Sequence, residues 1–152
     1  AEKSINEGRR LFPAVGDFED LDISNKFYSG NYDQVIQFIK PLLGKNSTGI
    51  SENLLSFLSI AYLRKNDLAE SKKITQQLRE KLANKNSSIN YCLARIYAQY
   101  EMKDSCFSSL ESSFDNHESM FKLYKIEPLF DVIRQDKRYL QLYSRYGFDR
   151  YK

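Results

Sequence analysis

IAYLRKNDLAESKKITQQL, residues 60–78, is the stretch on which the fold turns. An apolar and aromatic run stops at a short polar break, Asn66-Asp67, and a second periodic run comes after it. Two other stretches align with it: SNKFYSGNYDQVIQFIKPLL, Ser24 to Leu43, and RIYAQYEMKDSCFSSLESSF, Arg95 to Phe114. Their breaks fall at Gly30-Asn31 and Glu101-Met102. Gly30 and Asn66 are 36 residues apart and Asn66 and Glu101 are 35 apart, the period of one helical hairpin with its connection.

Periodicity predicts helices on both sides of each break. Leu54, Leu55, Leu58, Ala61 and Tyr62 recur at three- and four-residue steps, as do Leu68, Ser71, Ile74, Thr75 and Leu78. Tyr91, Ala94 and Tyr97 continue the pattern in the third unit, with Leu93 and Ile96 widening the face. Nothing alternates with the two-residue period of a strand. Ser51, Asp67 and Asp104 are expected to cap helices, and Pro41 to kink or end the one in which it falls. GKNSTG, Gly44 to Gly49, is the expected loop between the first two units.

These units resemble tetratricopeptide repeats, pairs of antiparallel helices that stack into a solenoid. The family's turn carries a glycine, an aromatic and a small residue. Gly30, Tyr32 and Val35 stand there in the first unit, Asn66, Leu68 and Ser71 in the second, and Glu101, Lys103 and Cys106 in the third. For the leucine, small residue and aromatic of the first helix, Leu58, Ser59 and Tyr62 fit, as do Leu93, Ala94 and Tyr97; Asp22, Ile23 and Lys26 depart. The resemblance implies an all-α, right-handed superhelix of about three hairpins over residues 16–120. Residues 1–15 form an N-terminal extension and residues 121–152 a C-terminal capping segment with its own helix.

That closing segment, FKLYKIEPLFDVIRQDKRYLQLYSRYGF from Phe121 to Phe148, resembles the ending of many bacterial tetratricopeptide arrays. Glu127-Pro128, Phe130, Arg134, Asp136 with Arg138 and Tyr139, and Gly147 carry the likeness. Pro128 is expected to stop one helix, Leu129 to Ile133 to form a short turn, and Asp136 to cap a last amphipathic helix. Leu140, Leu142, Tyr143 and Tyr146 are expected to cover the end of the stack, which a solenoid needs. By resemblance, such endings belong to multidomain transcriptional regulators, cyclases and kinases, where the repeats lie downstream of the effector domain.

Composition narrows the chemistry. The chain has 152 residues, 41% hydrophobic and 28% charged, with a net charge of +3, the profile of one globular domain. Two cysteines and one histidine are too few for a Cys/His zinc cluster. His117 reads as an exposed linker residue, and DFEDLD (Asp17 to Asp22) as the solvated acidic start of a helix. Phosphate loops, nucleophile elbows and zinc-helix motifs are missing, so neither an enzyme nor a cofactor or metal site is expected. Cys106 fits a buried small-residue slot and no disulfide with Cys92 is expected. The stretch from Glu118 to Lys152 carries the net +3, which reads as a solvated face; neither nucleic acid nor a membrane is an expected partner. The missing apolar signal core predicts a cytoplasmic protein, and the start at Ala1 rather than Met predicts a piece of a larger one.

What remains is binding. By resemblance, the first helix of each unit lines a concave groove, to which Tyr28, Ser56, Arg64, Tyr91, Arg95 and Gln99 contribute. Two arginines with an aromatic wall suit an acidic or carboxylate-ended peptide, with Arg64 and Arg95 as its anchors. The lysine–asparagine carboxylate clamp of the chaperone-binding members is not expected, because Asp20 and Ser24 occupy its places. The expected function is a non-catalytic protein-interaction module, the C-terminal part of a bacterial regulatory or signalling protein. Its partner is another protein, a peptide or a sister domain of the same polypeptide. The alternative is a self-associating spacer that forms homodimers.

Overall fold

The computed structural model describes residues 3–5, 7, 17–44, 50–81 and 88–148, and there is no strand among them. The main α-helices among these residues are α1 Asp17–Tyr28, α2 Tyr32–Ile39, α3 Glu52–Arg64, α4 Leu68–Glu80, α5 Ile89–Gln99, α6 Lys103–Asp115 and α7 Lys137–Arg145. Short 3-10 helices cover Lys40–Gly44, Ser119–Leu123 and Pro128–Ile133. The all-α expectation holds for these residues. Most of the N-terminal extension, most of the GKNSTG loop and residues 149–152 lie outside them. Packing divides the chain into two compact units, Ala1–Ile74 and Thr75–Lys152, with the boundary inside α4.

The three breaks are three copies of one turn. Gly30, Asn66 and Glu101 have φ of 79°, 61° and 61°, the left-handed conformation in which a helix commonly stops. In each copy the left-handed residue and its successor donate back to the helix just ended. Gly30 N–H meets Phe27 O at 3.0 Å and Asn31 N–H meets Lys26 O at 2.9 Å. Asn66 meets Leu63 at 3.0 Å and Asp67 meets Tyr62 at 2.9 Å. Glu101 meets Ala98 at 3.1 Å and Met102 meets Tyr97 at 2.9 Å. This paired bonding satisfies carbonyls that the helix end would otherwise leave open, so the turn forms even where the sequence offers glutamate instead of glycine.

Buried pairs at matching positions zip the hairpins. Ile23 and Val35, Ser59 and Ser71, and Ala94 and Cys106 are each 1% exposed or less. In the middle hairpin the serines bond reciprocally: Ser71 Oγ donates to Ser59 O at 2.6 Å, and Ser59 Oγ to Ser71 O at 3.1 Å. In the unit Ala1–Ile74, α1 also packs on α3, with the Phe27 and Phe57 rings stacked at 4.4 Å.

Of the three caps expected within the hairpins, two form and one does not. Ser51 Oγ accepts from Leu54 N–H at 3.3 Å, and Asp67 from Glu70 N–H at 3.1 Å. Asp104 does not cap α6; the cap position is Met102, and Asp104 instead accepts from Arg138 Nη1 at 2.6 Å. Pro41 lies just beyond the end of α2 at Ile39, and the chain continues as a 3-10 turn.

Candidate functional site

The strongest concentration of specific chemistry lies along α5 (Ile89–Gln99), in the unit Thr75–Lys152. This helix is apolar on almost every side, with Ile89, Leu93, Ala94, Ile96 and Ala98 all buried, and its polar groups are therefore costly unless partnered. The chain supplies the partners itself, from the segment that comes after α6.

At the first turn of α5, Ser88 makes no side-chain capping bond. Glu118 does that work from a distance of 27 residues in sequence. Its carboxylate accepts from Asn90 N–H at 3.0 Å, Asn90 Nδ2 at 2.8 Å and Tyr91 N–H at 2.8 Å. A negative charge on open helix N–H groups is doubly favourable, as hydrogen-bond acceptor and as countercharge to the helix dipole. Glu118 arrives there because His117 takes the left-handed conformation, φ 54°, and repeats the bonding of the other turns: His117 N–H to Phe114 O and Glu118 N–H to Ser113 O.

At mid-helix, Arg95 Nε lies 3.2 Å from Glu127 Oε2, and the two side chains are only 1% and 4% exposed. Glu127 also accepts from Leu129 N–H at 3.1 Å and so starts the 3-10 turn at Pro128. One helical turn further, Gln99 Nε2 donates to Leu129 O at 2.6 Å. The Tyr91 ring stands edge-on to Phe130 at 5.5 Å. Glu118 to Ile133 thus lies along α5 from its first turn to its last.

The rest of the closing segment locks this arrangement. Arg134 donates to Lys125 O at 3.0 Å, Glu127 O at 3.2 Å and the Tyr139 hydroxyl at 2.7 Å, and pairs with Asp131. Tyr124, fully buried, donates to Tyr139 O at 3.2 Å; burial pushes its hydroxyl pKa up. Asp136 caps α7 through Arg138 N–H at 3.0 Å, and hydrogen bonds from Arg138 hold its carboxyl down at about 2. Leu142 is buried as expected, but Leu140 is 60% exposed; Tyr139 takes the covering role instead, because its side chain falls on the inner face of α7.

The six groove residues therefore part company. Tyr28 and Arg64 are exposed, both in the unit Ala1–Ile74. Ser56 is fully buried and donates to Asn53 O at 2.8 Å, so it does not face an incoming ligand. Tyr91 and Arg95 are buried as well, and Gln99 is half-buried, because the closing segment covers them. Arg95 does hold a carboxylate, and that carboxylate is Glu127. The expectation that Arg64 and Arg95 grip one external peptide is corrected accordingly.

Glu118 and the role of Glu127 escape a reading by helical period, since both act across long sequence separations. One signal was present: an arginine inside YCLARIYA demands a buried counter-charge.

Cys92 and Cys106 are buried and not joined in a disulfide, and burial pushes the Cys106 thiol up to about 12. A shallow depression of about 430 Å³ opens beside the start of α6, lined by Glu101 to Ser105 and Arg138, whose fork is already held by Asp136 and Asp104. Among the described residues no group of three or more His, Cys, Asp or Glu is placed to hold a metal ion. No helix among them is long and apolar enough to cross a membrane. Compared with family models, curated proteins and solved structures, the chain matches none.

Proposed function

We propose that the chain is a non-catalytic protein-interaction module built from tetratricopeptide-like helical hairpins. The observation that carries this reading is the recurrence of one left-handed turn and one buried seam at 36- and 35-residue spacing, despite three different residues at the turn. Hairpins of this kind stack into a superhelix in the family they resemble, and the surface offered by their first helices is where partners bind. With α5 covered by the chain's own segment, the binding surface is that of α1 and α3, where Tyr28 and Arg64 occupy matching positions near the helix ends. The contacts along α5 are examples of what such positions hold well: a carboxylate on arginine, a backbone carbonyl on glutamine, an aromatic edge on tyrosine. The partner is accordingly an extended peptide bearing a carboxylate.

The experiment is fluorescence anisotropy with labelled acidic peptides, each made with a free and an amidated C-terminus. Arg64→Ala is expected to weaken binding by about 1.5–3 kcal/mol if it makes a charge-assisted hydrogen bond, with an unchanged unfolding midpoint. Equal affinity of parent and variant would dismiss this surface. The companion proposal, that the module belongs to a bacterial regulatory or signalling protein, rests on the likeness of Phe121–Phe148 to the endings of such arrays. Sequencing the gene upstream of Ala1 tests it: an adjoining effector domain supports it, and its absence rejects it.

A further inference from the structure

The closing segment meets the rest of its unit through a surface that is complete in itself. Phe121, Tyr124, Leu129, Phe130, Ile133 and Leu142 are buried. All but Leu129 join Tyr91, Ala94, Ala98, Phe107 and Leu110 in one core. Two carboxylates register the segment on α5, Glu118 at its first turn and Glu127 at Arg95. Detached, the segment would bare this whole apolar face and leave Arg95 without its countercharge. An identical segment restores every one of these contacts, Glu127 at Arg95 and Glu118 at the first turn of α5 included.

The connection to α6 is the turn Asn116-His117 alone, and His117 sits there with φ 54° and an exposed side chain. A left-handed histidine costs free energy that a helical one does not. If Asn116 and His117 turn helical, α6 runs on and carries the segment away from its own α5. Short strained hinges of this kind favour exchange of identical elements between copies.

We propose that two copies of this chain exchange closing segments, so that Glu118 and Glu127 of each dock on α5 of the other. The closed monomer prevails when the chain is dilute, and the exchanged dimer forms when it refolds at high concentration. This inference does not rest on peptide binding by α1 and α3.

Charge reversal in two separate full-length chains tests it. Arg95→Glu and Glu127→Arg each place like charges at the buried pair. Refolded together from denaturant, the two chains escape that repulsion only by exchange, giving a heterodimer of twice the monomer mass by light scattering. Refolded alone, neither gives that species. A hinge series provides the second readout. Asn116→Ala combined with His117→Ala is expected to raise the dimer-to-monomer ratio of the otherwise unaltered chain about tenfold, and His117→Gly to lower it by a similar factor. Monomers or aggregates from the mixed refolding, or a ratio that the hinge variants leave unmoved, would overturn the proposal.

Discussion

Ala1–Ile74 and Thr75–Lys152 build the same kind of hairpin and finish it differently. In the first unit the ion pair between Lys65 and Asp33, 2.9 Å, sits in solvent with side chains 46% and 79% exposed. In the second, the pair between Arg95 and Glu127 is sealed from water. The first unit joins α1 to α3 through a smaller group of rings, Phe27 and Tyr28 on Phe57, with Tyr32 against Phe27. The second gathers Phe114, Phe121, Tyr124, Tyr139, Tyr146 and Phe148 into a connected aromatic cluster. The difference teaches that a helical hairpin needs a cover, and that the residues chosen for it fix whether its polar positions stay open. Arg64 and Gln99 stand at matching places in their hairpins, yet one is exposed and the other spends its amide on Leu129.

The largest expected effect separates the two ion pairs. Arg95→Met leaves Glu127 buried without its countercharge and is expected to destabilise the protein by about 3–5 kcal/mol. Adding Glu127→Gln recovers most of that loss, since the glutamine oxygen still accepts from Leu129 N–H. Lys65→Met costs at most about 1 kcal/mol, as exposed pairs do. Urea denaturation of the three variants measures this; equal losses from Arg95→Met and Lys65→Met would erase the contrast.

Next in size is the remote cap. Glu118→Ala strips the acceptor from Asn90 and Tyr91 N–H, and a loss of about 1.5–3 kcal/mol is expected for bonds to a charged group. Ser51→Ala, the local cap of α3 in the first unit, costs about 1 kcal/mol. If the two caps proved equal, the carboxylate would be acting no differently from a hydroxyl.

How much of this could be seen beforehand depends on range. The turn at Gly30 follows from the residue itself, and those at Asn66 and Glu101 follow from the spacing that repeats it. The caps Ser51, Asp67 and Asp136 were legible because their bonds reach two or three residues along the chain. Asp104 misled because a distant residue outcompetes the local bond: it stands near the start of α6, but Arg138, 34 residues away, claims it. The site failed at the same range. Tyr91, Ser56 and Arg95 sit at positions where the hairpin pattern permits exposure, and only tertiary packing decides that they are covered. Arg95 in an apolar run was the visible clue that something charged had to come to it.

The seam offers a milder comparison. Ser59→Ala removes the bond to Ser71 O but leaves Ser71 Oγ donating to Ser59 O, so about 0.5–1.5 kcal/mol is expected. Ser59→Ala with Ser71→Cys transplants the Ala94–Cys106 pair of the second unit into the first. Both are small buried pairs of similar volume, so the double variant is expected to unfold within about 1.5 kcal/mol of the parent. A larger loss in thermal melts would mean that the two seams are not interchangeable and that the serine bonds fix the approach of α3 to α4.

The last comparison concerns the turn both units share, where the smallest effects come from adding a glycine rather than removing one. At Gly30, φ is 79° and a Cβ would meet nothing within 4 Å, so Gly30→Ala suffers from backbone conformation alone. A loss of about 1–2 kcal/mol is expected, the cost of a left-handed residue with a side chain. Glu101 already bears that cost at φ 61°. Glu101→Gly relieves it, but the glycine adds freedom to the unfolded chain, worth about 0.5–1 kcal/mol in the other direction. The net is a gain below about 1 kcal/mol, and Asn66→Gly gains less still because asparagine tolerates the left-handed region. Melting temperatures of the three variants should therefore fall, rise slightly and stay nearly level, in that order. A drop for Glu101→Gly would show that the glutamate side chain contributes something to its turn beyond filling it, and would end the equivalence of the three turns on which the repeat rests.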